Sequence, residues 1–296
     1  MRCSWTSLLL GIALTLSARI VQAQDCAGAA IGPDAKTTAT VGPPTTDGPN
    51  GGHPALSSAS NGLANPGFDV SASGGLAVDD GYFHSDTRAG GDVYITCCAG
   101  SSAIVRNDGH VSDCLVMGGY ADGGGFLHVP VHVTGSSLAE WSISSEYQAS
   151  PGAKFAGNQV GVGCRIHVGQ QLMSCTGGNL EFDVDQSVDA RVELVFAFTF
   201  GAPTQLEILP TADSSIGYAA NGSTGTMLTT ANLSVLGVLE PAYAVDGVGT
   251  PLPNTTITAA SGFDYLHPVP EPGGLAASCA AAAALAARRA RIRPSR

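Results

Sequence analysis

The stretch RVELVFAFTF, residues 191 to 200, alternates strictly. Val192, Leu194, Phe196, Phe198 and Phe200 fall on one side, with Arg191, Glu193, Val195, Ala197 and Thr199 on the other. A repeat of two is that of an extended strand with one face in a core. EFDVD (residues 181 to 185) and EWSISSEY (140 to 147) follow the same rule, and DVYIT, SAIVR, FLHVPVHV, QVGVGCRIHV, TQLEIL, MLTTANLSVLGVL and NTTITA are further candidates, separated by Gly, Asn, Asp and Pro. No internal segment sustains a 3.6-residue repeat. About ten short strands between turn signals predict an all-β, antiparallel β-sandwich of jelly-roll type over residues 91 to 267. Residues 24 to 90 are rich in Gly, Pro, Ala, Ser and Thr with little large-apolar alternation, and their composition predicts a linker or loosely ordered region.

The two ends differ from this body. Arg2, the apolar LLLGIALTL and the small residues Val21 and Ala23 form the three parts of a secretory signal peptide over residues 1 to 23. Signal peptidase is expected to cut between Ala23 and Gln24. Residues 1 to 23 and 273 to 296 hold seven of the 13 Lys and Arg and none of the 24 acids. The remainder therefore has six bases against 24 acids, a charge of −18 that repels phosphate backbones and excludes nucleic acid as a partner. With Cys3 in the signal and Cys279 in the tail, six cysteines remain: Cys26, Cys97, Cys98, Cys114, Cys164 and Cys175. An even number in an exported chain predicts disulfides. GCRIHVGQQLMSC predicts a hairpin around Gly169, Gln170 and Gln171 that joins Cys164 to Cys175. Cys97 and Cys98, adjacent and unable to bond each other easily, are expected to take Cys114 and Cys26 between them.

Chemical motifs are sparse. There is no nucleophile elbow, zinc-protease helix or phosphate loop. His128 and His132 lie four positions apart, about 13 Å on a strand, too far for one zinc, and Pro130 between them argues against the helix that would bring them together. No catalytic residue and no cofactor are expected. Asp183, Asp185 and Asp189 offer oxygen ligands of the kind calcium takes, against the simpler reading of a solvated polar face. Glycoside hydrolysis would need a carboxylate pair, for which Glu140, Glu146, Glu181 and Glu193 are the acids available on strands. Of the aromatics that could stack on sugars, Tyr82, Tyr120 and Trp141, the last shares a face with Ile143 and is expected in the core.

The C-terminus carries three ordered parts: Val269, Pro270, Glu271 and Pro272; an alanine-rich apolar run of 13 residues from 275 to 287; and Arg288, Arg289, Arg291 and Arg293. This order resembles the PEP-CTERM sorting signal of Gram-negative bacteria. FAFTFGAPTQLEI, TTANLSVLGVLEP, DGVGT and AASGFDYLHPVPEP, in that order, are similar to the closing strands of many PEP-CTERM proteins. The resemblance implies a helical sorting tail over residues 268 to 296, held transiently in the inner membrane with its arginines on the cytoplasmic side. It also implies processing by an exosortase and placement at the cell surface or in exopolysaccharide. The run is shorter than the roughly 20 apolar residues of a stable span, which suits a tail destined for removal. No reaction is implied. A secreted carbohydrate-binding module or carbohydrate-active enzyme is the alternative.

Overall fold

The structure is a computed structural model. It describes Cys26 and residues 31–65, 68–95, 100–143, 156–168, 171–174, 177–182, 185–219 and 225–268. These residues form fifteen strands and no helix: β1 (Gly32–Thr40), β2 (Pro44–Gly51), β3 (Ala55–Asn65), β4 (Phe68–Asp79), β5 (Tyr82–Ile95), β6 (Gly100–Gly118), β7 (Gly124–Ile143), β8 (Ala156–Val168), β9 (Gln171–Ser174), β10 (Gly178–Phe182), β11 (Gln186–Thr199), β12 (Pro203–Ala219), β13 (Gly225–Leu239), β14 (Tyr243–Val245) and β15 (Thr256–Ala259). They build two antiparallel sheets. One runs β10-β8-β12-β6-β1-β2, with β15 on β6 and β9 on β8; the other runs β11-β7-β13-β5-β4-β3, with β14 on β7. From β5 onward the pairs nest, β5 with β13, β6 with β12, β7 with β11 and β8 with β10. Nested pairs alternating between two sheets are the wiring of a jelly roll.

Two expectations need correction. Residues 24 to 90 are not a linker: β1 to β4 lie wholly within them, and the expected boundary at residue 90 falls inside β5. The alternation is there, but written in small side chains. Along β1 the buried positions are Pro33, Ala35, Thr37 and Ala39; along β3 they are Ala55, Ser57 and Ala59. The strands are also longer than expected. FLHVPVHV and the start of EWSISSEY are one strand, β7, bridged by Gly135. That glycine has φ +154°, and the Ser234 carbonyl stands where a Cβ would be. Here a side chain would break the pairing with β13.

The core has two parts. A larger cluster takes Leu115, Met117, Leu127, Val129, Val131, Leu194, Phe196, Leu206 and Tyr265, among others. A smaller one is mostly alanine and valine, with Ala39, Val70, Ala72, Ala89, Val105, Ala139 and Ala231. Between them runs a belt of buried polar residues. Thr37 and Ser57 hydroxyls meet at 2.7 Å. Asn107 Nδ2 donates to Ser85 Oγ at 2.7 Å and to the Gly75 carbonyl at 2.8 Å. Thr87 meets Ser214 at 2.6 Å, while Asn158 Nδ2 donates to Ser137 Oγ at 2.8 Å and Asn158 Oδ1 accepts from the Ser214 hydroxyl at 2.6 Å. On β1, β3, β7 and β12 the chain passes from the larger cluster, through a belt residue, into the smaller one, and on β6 and β8 it passes the other way. Burial of polar groups is costly unless they are paired. The belt therefore sets the position of each sheet along the other.

Candidate functional site

Two polar constellations stand out from this scaffold. The first is buried at one end of β6. Asp113 is 1% exposed and accepts four hydrogen bonds. Its Oδ1 takes the Cys114 N–H at 2.7 Å and the Ser261 N–H at 3.0 Å, and its Oδ2 takes the Ser261 hydroxyl at 2.5 Å and the Tyr265 hydroxyl at 3.2 Å. β15 delivers these partners, since its pairing with β6 runs from Thr256 opposite Gly118 to Ala259 opposite Leu115. The Ala260 N–H then donates to the Cys114 carbonyl. Burial raises the Tyr265 phenol well above its ordinary pKa, and the charges of Asp113 and Asp80 add to the effect. A carboxylate buried in this way is held by its hydrogen bonds. The constellation fastens the end of the described chain to the body. Nothing local in the sequence marks it, because Asp113 and Tyr265 are 152 residues apart.

Cys114, the next residue, is bonded to Cys26, with Cα atoms 6.3 Å apart, inside the usual range for a disulfide. This corrects the expectation that Cys97 and Cys98 take these two. The reason is register: β1 begins with Gly32 opposite Ser112, which puts Cys26, six residues before Gly32, within reach of Cys114. Cys164 is also in a disulfide, and β8 and β9 form the expected hairpin, from Val168 opposite Gln171 to Arg165 opposite Ser174. Cys97, Cys98 and Cys175 lie outside the described residues. So do Ala23 and Gln24, the motif Val269, Pro270, Glu271 and Pro272, and Arg288, Arg289, Arg291 and Arg293.

The second constellation is on the outer face of β7, β11 and β14. Pairing sets Tyr243 opposite His128 and Arg191 opposite His132. The Tyr243 and His128 rings stack with centroids 4.7 Å apart. Tyr243 donates its hydroxyl to Glu193 Oε1 at 2.5 Å, and His128 Nδ1 lies 3.1 Å from the same oxygen. His132 Nε2 is 2.7 Å from Asp189 Oδ1, and Arg191 donates to Glu240 at 2.9 Å. The Tyr243 hydroxyl, then His128, hold the Glu193 carboxyl below its ordinary pKa, and the same bond raises Tyr243. Phe126 and Tyr243 are exposed on this face. The two histidines lie on one strand as expected, and each is engaged by its own carboxylate.

The remaining expected residues are dispersed. Asp189 is taken by His132, Asp185 is exposed before β11, and Asp183 lies outside the described residues. Among the described residues, Asp185 and Asp189 belong to no group of three ligand-type side chains. Among the described residues the group of ligand-type side chains lying within 4.8 Å of one another is His53, Asp79 and Asp80. There His53 Nδ1 is 3.0 Å from Asp79 Oδ1, a hydrogen bond in its own right. Trp141, expected in the core, is 56% exposed. It lies one inward step past Ala139, where the small-residue core ends. Tyr82, expected as a sugar platform, is buried, and Tyr120 packs against Phe200 with centroids 5.0 Å apart. Glu140 is exposed, and Glu146 lies outside the described residues. No protein-family model matches the chain, and no curated protein matches it either.

Proposed function

We propose that this chain is an exported, non-enzymatic protein of the cell surface or extracellular matrix of a Gram-negative bacterium. In this reading signal peptidase removes residues 1 to 23, and an exosortase processes the C-terminal motif at Val269 to Pro272. The acidic sandwich is then left in contact with exopolysaccharide. The observation that carries it is the ordered tail of motif, apolar run and arginines, at the opposite end from a signal peptide. Disulfides at Cys26, Cys114 and Cys164 support it, because such bonds persist in oxidising compartments. No cofactor enters this account. The test compares the full chain with one ending at Pro268 in the cells that make it. The full chain is expected at the surface or in the matrix and the shortened one in the periplasm or medium. Identical distribution of the two would count against the reading.

A second reading, a carbohydrate-binding module, is favoured by the outer face of β7, β11 and β14. There exposed Phe126 and Tyr243 stand beside Glu193, Arg191 and His132, the planar polar groups that hydrogen-bond to sugar hydroxyls. Glu193 is held ionised, unlike the raised carboxyl that donates a proton in glycoside hydrolysis. That favours binding over hydrolysis. Tyr243→Ala is expected to reduce retention on the cells' own exopolysaccharide, and unchanged retention would remove this reading.

A further inference from the structure

The two ends of the body meet at one point. Cys26 is the first described residue, and its bond to Cys114 holds its Cα 6.3 Å from that of Cys114. Asp113 is one Cα step of about 3.8 Å further on, so Cys26 and Asp113 lie within about 10 Å of each other. Asp113 is the residue that holds Ser261 and Tyr265. The backbone of Cys114 joins in from both sides, its N–H going to the Asp113 carboxylate and its carbonyl receiving the Ala260 N–H. A further bond, from the Ala242 N–H to the Tyr265 carbonyl, fixes the segment to the opposite sheet's last turn. From Ala23 to Cys26 is three residues, at most about 11 Å of chain, and from Tyr265 to Val269 is four, at most about 14 Å.

We infer that Asp113 and Cys114 form a clamp that gathers both ends of the body at one pole, so that the sandwich completes its fold while both terminal extensions are still attached. Neither extension then has to be removed before the body folds. The inference rests on the export and processing proposed above. Its physical basis is reach. β7, with 20 residues, is about 65 Å long at 3.3 Å per residue. Ends leaving from opposite poles of such a body would be separated by that order of distance, and two membrane tethers would hold it flat or strained against the bilayer. Ends leaving from one pole impose no such strain.

The test uses the full chain with both cuts blocked, by Ala23→Phe at one end and Pro270→Ala with Glu271→Ala at the other, recovered from the membrane fraction of a Gram-negative host. The expected result is a membrane-bound chain whose Cys26 resists alkylation and whose body resists protease as the mature protein does. Membrane-bound protein with Cys26 open to alkylation, or with the body digested more than tenfold faster than the mature form, overturns the inference and leaves the export reading standing. Recovery of the chain in the cytosol overturns both. A second measurement isolates the clamp itself in the mature protein. Ser261→Ala with Tyr265→Phe is expected to speed proteolysis after Leu266 at least tenfold while the Cys26–Cys114 bond remains, and an unchanged rate contradicts the clamp.

Discussion

Asp113 and Tyr265 show how far single residues decide the behaviour of this protein. The phenol of Tyr265 is raised by burial first and by the carboxylates of Asp113 and Asp80 second. A group whose folded pKa is raised binds its proton more tightly in the folded state. The stability tied to neutral Tyr265 is therefore complete below pH 10.0, the ordinary phenol value, and is lost as pH rises beyond it. Alkaline titration of phenolate absorbance is expected to show Tyr265 ionising only with unfolding, and Tyr265→Phe is expected to remove its share of that step. The same substitution removes a hydrogen bond to a charged group and is expected to cost about 1.5–3 kcal/mol in chemical denaturation. Glu193 has the opposite sign. The Tyr243 hydroxyl, followed by His128, lowers its folded pKa, so its contribution is present above the ordinary value of 4.5 and is lost as pH falls through the lowered one. Tyr243→Phe is expected to raise the Glu193 pKa in a carboxyl NMR titration. Neither pair could be found by local pattern, because only the pairing of β14 with β7, or of β15 with β6, brings the partners together.

At the level of strands, legibility followed side-chain size. β11 was readable because Val192, Leu194, Phe196 and Phe198 write its buried face in large apolar residues, and all four are buried. β1 and β3 were not, because Ala35, Thr37 and Ala39, or Ala55, Ser57 and Ala59, do the same work with residues that composition assigns to linkers. Small residues suffice there because the facing residues are small as well, so the second core is thin and closely packed. Gly74 is part of that packing: a Cβ would meet Val105 Cγ2 at 2.6 Å, the Asp86 carbonyl at 3.1 Å and Asn107 Oδ1 at 3.2 Å. Gly74→Ala is expected to destabilise by about 1–3 kcal/mol through overpacking, read as a lower denaturation midpoint with unchanged m-value. A midpoint equal to wild type would show that the belt and the small core are looser than drawn. The β8 and β9 hairpin was legible because its partners are neighbours in sequence. The Cys26–Cys114 bond was not, because its partners are 88 residues apart. For the hairpin, peptide mapping under non-reducing conditions is expected to find Cys164 joined to Cys175.

For the molecule as a whole, the chain divides into a body that the fold explains and two extensions that only the sequence characterises. The all-β, antiparallel two-sheet architecture was expected from the alternating runs, and the four strands before β5 widen both sheets beyond the expected domain. Charge belongs to the same scale. All of the 24 acids but Glu271 fall in the body and the arginines of the tail fall outside it, so removal of the extensions leaves a strongly acidic particle suited to staying dispersed in a hydrated matrix. The central claim is that both extensions are temporary and that the body is oxidised. Intact mass of the protein recovered from the cells that make it, before and after reduction, tests this most directly. The predicted mass begins at Gln24, ends close to the Val269 to Pro272 motif, and rises on reduction by four hydrogens, two each for the Cys26–Cys114 and Cys164–Cys175 bonds. A mass of all 296 residues that does not change on reduction would contradict the account.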